Sequence, residues 1–512
     1  MKVSKKQNFV NIISNILALI VQFAINFFVV PKIIKNLGTE AIGYVNLSTD
    51  IVSYFSIITI IFNSVAGRFI TLEINNDNYK KASEYINSVL MANAVICSAI
   101  ALFGAIFIPF VDRFLNISPN YLGEVKITFI ITWFSSIISI MTSVFTVGTF
   151  AKNKLNVNAY RNIASYLIRI AVIVILFGFF PLKVYFMPIA TLASTVFLGI
   201  ANYNLTHKYL PELKIDLRLA RKNSIKEIAS AGIWMSFISL SGILMRNVDT
   251  VLANLLFGQQ AMGNLSTART VPNAITMIVN TIGTMFTPTF IALYSKKLHK
   301  ELVDEAKTSI RVNGLIMTVP VAGFIAFSKP FYSLWLSSVD EKTVDLIVIL
   351  SSVTVVQAFF NSQTMALAQL SVVVNKLKLP VFVSFGIGVV NIIIELILGK
   401  TTDLGIIILV VPSTILMCAR YIFFNCWYAA RIIETKSRYF YLTMLRTSLP
   451  IVILLALYGF VAKHIVIDSW LKLIAVAGVC GVIGYPLAGI IAIPIKEIKP
   501  ILGKVKRKLL RK

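Results

Sequence analysis

The sequence predicts an all-α fold built from membrane-spanning helices, on three observations. Of 512 residues, 57% are hydrophobic and 14% charged, with a mean hydropathy of +0.82; a soluble domain carries about 25% charge and cannot cover so much apolar surface with polar groups. The apolar residues come in long runs, each near the roughly 20 residues that one helical crossing of a bilayer requires. The charge is lopsided, 48 Lys+Arg against 22 Asp+Glu, and the basic residues sit in short gaps between the runs. In a soluble chain that excess would suggest nucleic acid; here it marks a membrane face and no nucleic-acid partner is expected.

Taken in order, the basic stretch MKVSKKQN leads into an apolar run from Phe9 to Ile34. That run is too long for a signal-peptide core and lacks a small-residue cleavage site, so it stays as the first span. Run length and Pro, Gly and charge punctuation place further spans at 41–66, 85–110, 124–150, 158–180 and 184–206. A basic loop from His207 to Glu227 follows. The second half offers 229–256, 261–293, 307–328, 343–371, 377–399, 402–429, 438–462 and 467–493, then the tail KEIKPILGKVKRKLLRK. The total is fourteen. Alternate loops hold most of the Lys and Arg: three in residues 1–8, six in 207–228 and eight from Lys496 to Lys512, against none in 257–260. Both termini are therefore expected in the cytoplasm, with an even number of spans. The loops leave no room for a separate catalytic domain.

An internal repeat organises the spans. LGTEAIGYVNLSTD follows the first span and FGQQAMGNLSTART the seventh, so that Gly38, Ala41 and Gly43 recur as Gly258, Ala261 and Gly263. NLST at Asn46 to Thr49 recurs at Asn264 to Thr267 after a two-residue slip. Six spans separate the copies, so both face the same way, a parallel repeat about an axis along the membrane normal. Two pseudo-symmetric six-helix lobes are expected: 1–228 with spans 1–6 and the basic loop, and 229–437 with spans 7–12. Residues 438–495 form spans 13–14, and 496–512 the basic cytoplasmic tail.

The stretch VVPKIIKNLGTEAIGYVNLSTDIVSY, with Pro31, Gly38 and Gly43, resembles the entry to the polysaccharide-biosynthesis branch of the multidrug/oligosaccharidyl-lipid/polysaccharide exporter superfamily. GIWMSFISLSGILMRNVDTVLANLLFGQQAMGNLSTA resembles that branch's seventh span and following loop. The resemblance covers essentially the whole chain, and its loose motifs mark family better than substrate. It implies a MATE-like flippase of the bacterial cytoplasmic membrane, of the O-antigen, capsule or teichoic-acid type. Such a protein moves a polyprenyl-pyrophosphate-linked oligosaccharide outward, with polysaccharide-assembly enzymes as candidate partners.

Charge inside hydrocarbon is costly and marks function by default. Arg169 lies mid-span, with Arg246, Asp249, Arg269 and Arg420 also within spans, and Asp50, Arg68 and Glu395 nearer span ends. Four arginines against one deep aspartate suit a cavity for pyrophosphate, because Arg offers two parallel donors to phosphate oxygens and keeps its proton. Other roles stay open. Arg246 and Asp249, three residues apart, could simply neutralise each other, Arg420 could snorkel, and Arg269 could form a gate with Asp50. Arg68 reads as a loop anchor. Span 10 carries Gln357, Asn361 and Thr364 on one face with Gln363 and Gln369 beside them, and span 1 carries Gln22 and Asn26. Each stripe either lines a hydrated cavity or glues helices together.

Catalytic and cofactor motifs are missing. His207, His299 and His464 are scattered, and Cys97, Cys418, Cys426 and Cys480 have no metal or disulfide spacing. The GIG at Gly386 to Gly388 lies within an apolar span, and there is no GxxxxGK[ST]. No enzyme, cofactor or metal site is expected. The tail reads as an anchor to anionic lipid. The competing reading is a cation-coupled multidrug antiporter of the same superfamily, which needs a carboxylate-centred ion site.

Overall fold

A computed structural model describes residues 21–492, apart from 22, 26, 153, 245 and 246. Among the described residues every regular element is helical. The reason is that a chain in lipid must satisfy its backbone hydrogen bonds within itself. Residues 27–37 form α1. There follow α2 (Thr39–Asn75), α3 (Tyr79–Phe107), α4 (Leu122–Ser143), α5 (Leu155–Phe179), α6 (Phe186–Tyr209), α7 (Lys222–Leu244) and α8 (Val248–Ala268). Then come α9 (Thr270–Thr284), α10 (Thr287–Ser295), α11 (His299–Trp335), α12 (Glu341–Val373) and α13 (Lys378–Thr401). The helix α14 starts as Val411–Ala419, passes through a π-helical Arg420–Asn425 and ends as Cys426–Ile432. The last are α15 (Arg438–His464) and α16 (Trp470–Ala492).

Twelve stretches among the described residues are long and apolar enough to cross a membrane. One of them, the 60-residue Ser236–Ser295, takes in most of the expected span 229–256 and all of 261–293. The expected first span, 9–34, falls largely outside the described residues, as do the tail 496–512 and the candidates Gln22, Asn26 and Arg246. At 37 residues α2 and α11 are each ~55 Å long at 1.5 Å per residue, well beyond a ~30 Å hydrocarbon core. This accounts for Arg68: α2 continues two turns past it, and its side chain is exposed.

Contacts divide the chain into two compact units, Met1–Thr267 with Val381–Ile406, and Ala268–Pro380 with Ile407–Lys512. In the first, α2 packs on α3, α4 and α7, while α6 packs on α4 and α5. Ile70, Tyr85, Ile86, Val89, Leu210 and Ile228 belong to its apolar core. The basic connector of 210–221 is tied down by α3. Asn87, fully buried, donates to Lys214 O at 2.7 Å and accepts from Asp216 N at 2.9 Å, and Ser88 Oγ accepts from Arg221 N at 3.0 Å. In the second unit α11 is central, packed on α12, α15 and α16, and α12 packs in turn on α9 and α14.

The repeat read from the sequence is a repeat of backbone. Gly38 sits at φ 78°, ψ 171° and Gly258 at φ 83°, ψ −177°, the same conformation, which side chains other than glycine rarely adopt. Each glycine breaks one helix from the next: α1 from α2, and the first half of α8 from its second. Five residues later the paired glycines meet within the first unit. A Cβ on Gly43 would stand 3.0 Å from the Gly263 Cα, and one on Gly263 would stand 2.5 Å from the Thr39 carbonyl carbon. Only hydrogen fits between these backbones.

Candidate functional site

Helix α5 buries its polar face and exposes its apolar one. Tyr160, Leu167 and Val174 repeat every seven residues and are each more than half exposed. On the opposite side Asn158, Arg161, Asn162, Ser165 and Arg169 follow the i, i+3, i+4, i+7 pattern of one helical face, and Ser165 is 1% exposed. The two arginines lie eight residues apart, ~12 Å along the axis. Arg161 Nη2 donates to Asn162 Oδ1 at 3.2 Å, but its Nε and Nη1 are buried with no hydrogen-bond partner among the described residues, and so is Arg169 Nε. A guanidinium left so in hydrocarbon costs about 2.5–3.5 kcal/mol or more. That cost persists only where water or an anionic ligand reaches the face. Lys32 of α1 reaches the same helix at its far end, its Nζ 5.5 Å from the Phe177 ring.

Carboxylates gather where α8 begins against α2. Asp249 is fully buried and has an interaction partner. Two residues before it, Asn247 Nδ2 donates to Ser53 Oγ of α2 at 2.8 Å. Tyr54 of α2 lies within electrostatic reach of both Asp50 and Asp249. Glu395 is fully buried in α13 and accepts from Asn391 Nδ2 of its own helix at 2.6 Å. Arg269 stands at the head of α9 and Arg420 in the π turn of α14, its Cζ 5.9 Å from the Tyr421 ring, and both have interaction partners.

The polar stripe of α12 divides. Gln363 exchanges hydrogen bonds with Ser448 of α15, and Thr364 Oγ1 accepts from Asn425 Nδ2 of α14 at 3.2 Å. These two side chains hold helices together. Asn361, 9% exposed, and Gln357, half-buried, share the i, i+4 face one turn and more earlier.

One arrangement has no counterpart in the sequence reading. Asn254 of α8, fully buried, and Asn116 in the loop after α3 bind each other three times: Asn116 N to Asn254 Oδ1 at 2.8 Å, Asn116 Nδ2 to Asn254 O at 2.7 Å, and Asn254 Nδ2 to Asn116 O at 2.8 Å. Tyr44 Oη accepts from Ser118 N at 2.9 Å beside it. The loop is thereby clasped to the same end of α2 and α8 where Gly43 meets Gly263.

Residues 9–294, more than half the chain and including both glycine repeats and the α5 face, match the polysaccharide biosynthesis protein family. The chain belongs to that family. This polysaccharide biosynthesis protein is 26% identical over 501 residues, 98% of each chain, to the uncharacterized membrane protein EpsK of Bacillus subtilis (strain 168). Among solved structures it is similar to a MATE-family multidrug resistance transporter of the MOP superfamily in an inward-facing conformation, with TM-score 0.63 and 13% identity, covering 82% of this chain and 96% of that one. It is also similar to the lipid II flippase MurJ in an inward closed conformation, with TM-score 0.61 and 14% identity, covering 95% and 98%. At such identities the likeness shows the fold: the polysaccharide biosynthesis protein has the helical fold of MOP exporters. Arg161, missed in the sequence reading as a span-edge residue, was findable there, since it falls on the helical face that Arg169 defines. The Asn116–Asn254 clasp was not, because a loop asparagine carries no periodicity.

Proposed function

We propose that the protein is a flippase that moves a polyprenyl-pyrophosphate-linked oligosaccharide repeat unit across the cytoplasmic membrane. The repeats, as lobes 1–228 and 229–437, alternate access about a cationic central cavity, with both termini cytoplasmic. The observation that carries this reading is the polar face of α5, where two arginines keep buried nitrogens without protein partners. Pyrophosphate supplies the acceptors they lack, and the carrier's sugars hydrogen-bond to Asn158 and Asn162 of the same face; Gln357 and Asn361 are the sugar-contact candidates of α12. Of the other candidates, Arg269 and Arg420 are the further cations proposed for the substrate, Asp50 with Asp249 is proposed for the gate, and Gln22, Asn26 and Arg246 lie outside the described residues. Arg68 anchors a loop. Membership in a polysaccharide biosynthesis family supports the substrate class, and the absence of catalytic motifs supports transport without chemistry.

The buried carboxylates Asp249 and Glu395 favour a second reading, a cation-coupled multidrug antiporter. The test is translocation of lipid-linked oligosaccharide per folded molecule in reconstituted vesicles. Arg169→Lys should reduce it partway and Arg169→Gln should abolish it, since Lys keeps the charge and loses the two-pronged geometry. A wild-type rate in a well-folded Arg169→Gln variant overturns the arginine site, whereas no oligosaccharide translocation by the wild type, together with proton- or sodium-driven efflux of a cationic dye, establishes the antiporter instead.

A further inference from the structure

The second unit carries a basic cleft remote from α5. Helices α11 and α15 run parallel, in register: Lys307 Nζ lies 4.9 Å from the Tyr439 ring, and Gly314 packs so closely on Thr447 that a Cβ would stand 2.5 Å from its Cγ2. Between those two levels lies a cleft of about 100 Å³ lined by Arg311, Leu442, Thr443, Arg446 and Ala492. A water needs roughly 10–15 Å³ measured this way, so the cleft takes a handful of ligand atoms and not a sugar chain. Ala492 ends α16, which is held on α11 by Tyr485 Oη donating to Ile316 O at 3.2 Å.

The surroundings of Arg446 are lipid-facing. Leu442, Leu445 and Leu449 are 52%, 63% and 50% exposed, and Arg446 is exposed among them, eight residues or ~12 Å from the start of α15. In a membrane that depth lies below the headgroups, so the guanidinium must rise to meet an anion. Lys307, one turn before Arg311, is already paired with Asp304 at 2.9 Å. Arg311 has an interaction partner of its own and brings its remaining donors to the cleft, and no described acidic group forms an ion pair with Arg446. The cleft lies near a basic end of these helices, where Lys296 and Lys297 precede α11, Lys300 stands in its first turn and Lys436 precedes α15.

The geometry points to a binding site for the phosphate of an anionic membrane lipid between α11, α15 and α16, held by Arg446 and Arg311. Basic clefts between spans take phosphorylated headgroups in this way, and two arginines on different helices give fork-shaped donors from two sides. The phosphate belongs either to a glycerophospholipid or to the polyprenyl carrier. The site stands independently of the flippase reading, since it uses none of the α5 residues.

The test is native mass spectrometry of the full-length protein in mild detergent. The probes are phosphatidylglycerol, phosphatidylcholine, undecaprenyl phosphate and inorganic phosphate, with thermal unfolding measured on every variant. The wild type should hold one phosphatidylglycerol or one undecaprenyl phosphate more tightly than phosphatidylcholine. Each lost arginine should weaken that binding about fivefold, the worth of one basic residue near a charged surface. Arg446→Lys should fall between wild type and Arg446→Gln, and Lys307→Gln should bind as wild type does. Tighter phosphatidylglycerol assigns the headgroup; tighter undecaprenyl phosphate assigns the carrier. Unchanged lipid binding in Arg311→Gln with Arg446→Gln overturns the site, as does inorganic phosphate displacing both lipids equally well. If Arg446→Gln fails to fold, Arg446→Lys decides: lipid affinity equal to wild type overturns the two-pronged site.

Discussion

Helices α5 and α12 each carry a polar stripe through an apolar sequence, and in the folded chain the stripes end differently. On α12, Gln363 and Thr364 find Ser448 and Asn425 on two other helices, and the stripe becomes part of the packing. On α5, Arg161 and Arg169 are half-buried, with buried nitrogens that no described group meets. A polar group in hydrocarbon is tolerated only when partnered, by protein or by something that enters. The difference therefore separates side chains spent on holding helices together from side chains whose buried nitrogens no described group meets, two classes that look alike as letters in a sequence.

The largest effect that separates the two regions is on transport. Arg161→Gln with Arg169→Gln should abolish translocation, a fall of roughly 100-fold or more, since two hydrogen bonds to charged groups at about 1.5–3 kcal/mol each are lost, while the unfolding temperature holds or rises. Equal loss of folded protein and of transport would erase the distinction. Next comes Gly314→Ala, expected to cost about 1–3 kcal/mol through overpacking against Thr447 and Gln363. Gln363→Leu on α12 should act at the same site and cost about 1 kcal/mol by removing the hydrogen bonds to Ser448 that tie α12 to α15, with transport per folded molecule unchanged. Smaller still is the coupling between Thr364 and Asn425, for which a double-mutant cycle with Thr364→Val and Asn425→Ala should give ~0.6 kcal/mol, the mean for hydrogen bonds between membrane helices.

The smallest effect lies at the start of α12, outside the membrane. Asp340 caps the helix by accepting from Thr343 N at 2.9 Å, and that bond holds its carboxyl below the usual carboxylate range. A carboxyl depressed on folding stabilises above its unfolded value, about 3.9, and the stabilisation is lost as pH falls through the folded value. Asp340→Asn should therefore flatten the acid limb of stability measured between pH 5 and 2 and leave neutral-pH transport alone. An unchanged acid limb would remove the cap from the account of how α12 is held.

Much of this was legible from composition and spacing. Helical spans follow from apolar run length, because bilayer thickness and helix rise are fixed quantities. The turns at Gly38 and Gly258 follow from a repeated letter pattern, because the left-handed backbone state they share excludes other residues. Arg169 stood out as a charge in a lipid-length run, while Arg161, which falls on the face it defines, was passed over. Only the tertiary structure decided which polar groups meet: that Gln363 and Thr364 are spent on neighbours, that Gly43 and Gly263 touch across 220 residues of chain, that Asn116 and Asn254 clasp, and that Arg311 and Arg446 share a cleft. The physical reason is that periodicity along one helix tells which side a residue is on, whereas what it meets there depends on which other helix the whole bundle brings against it.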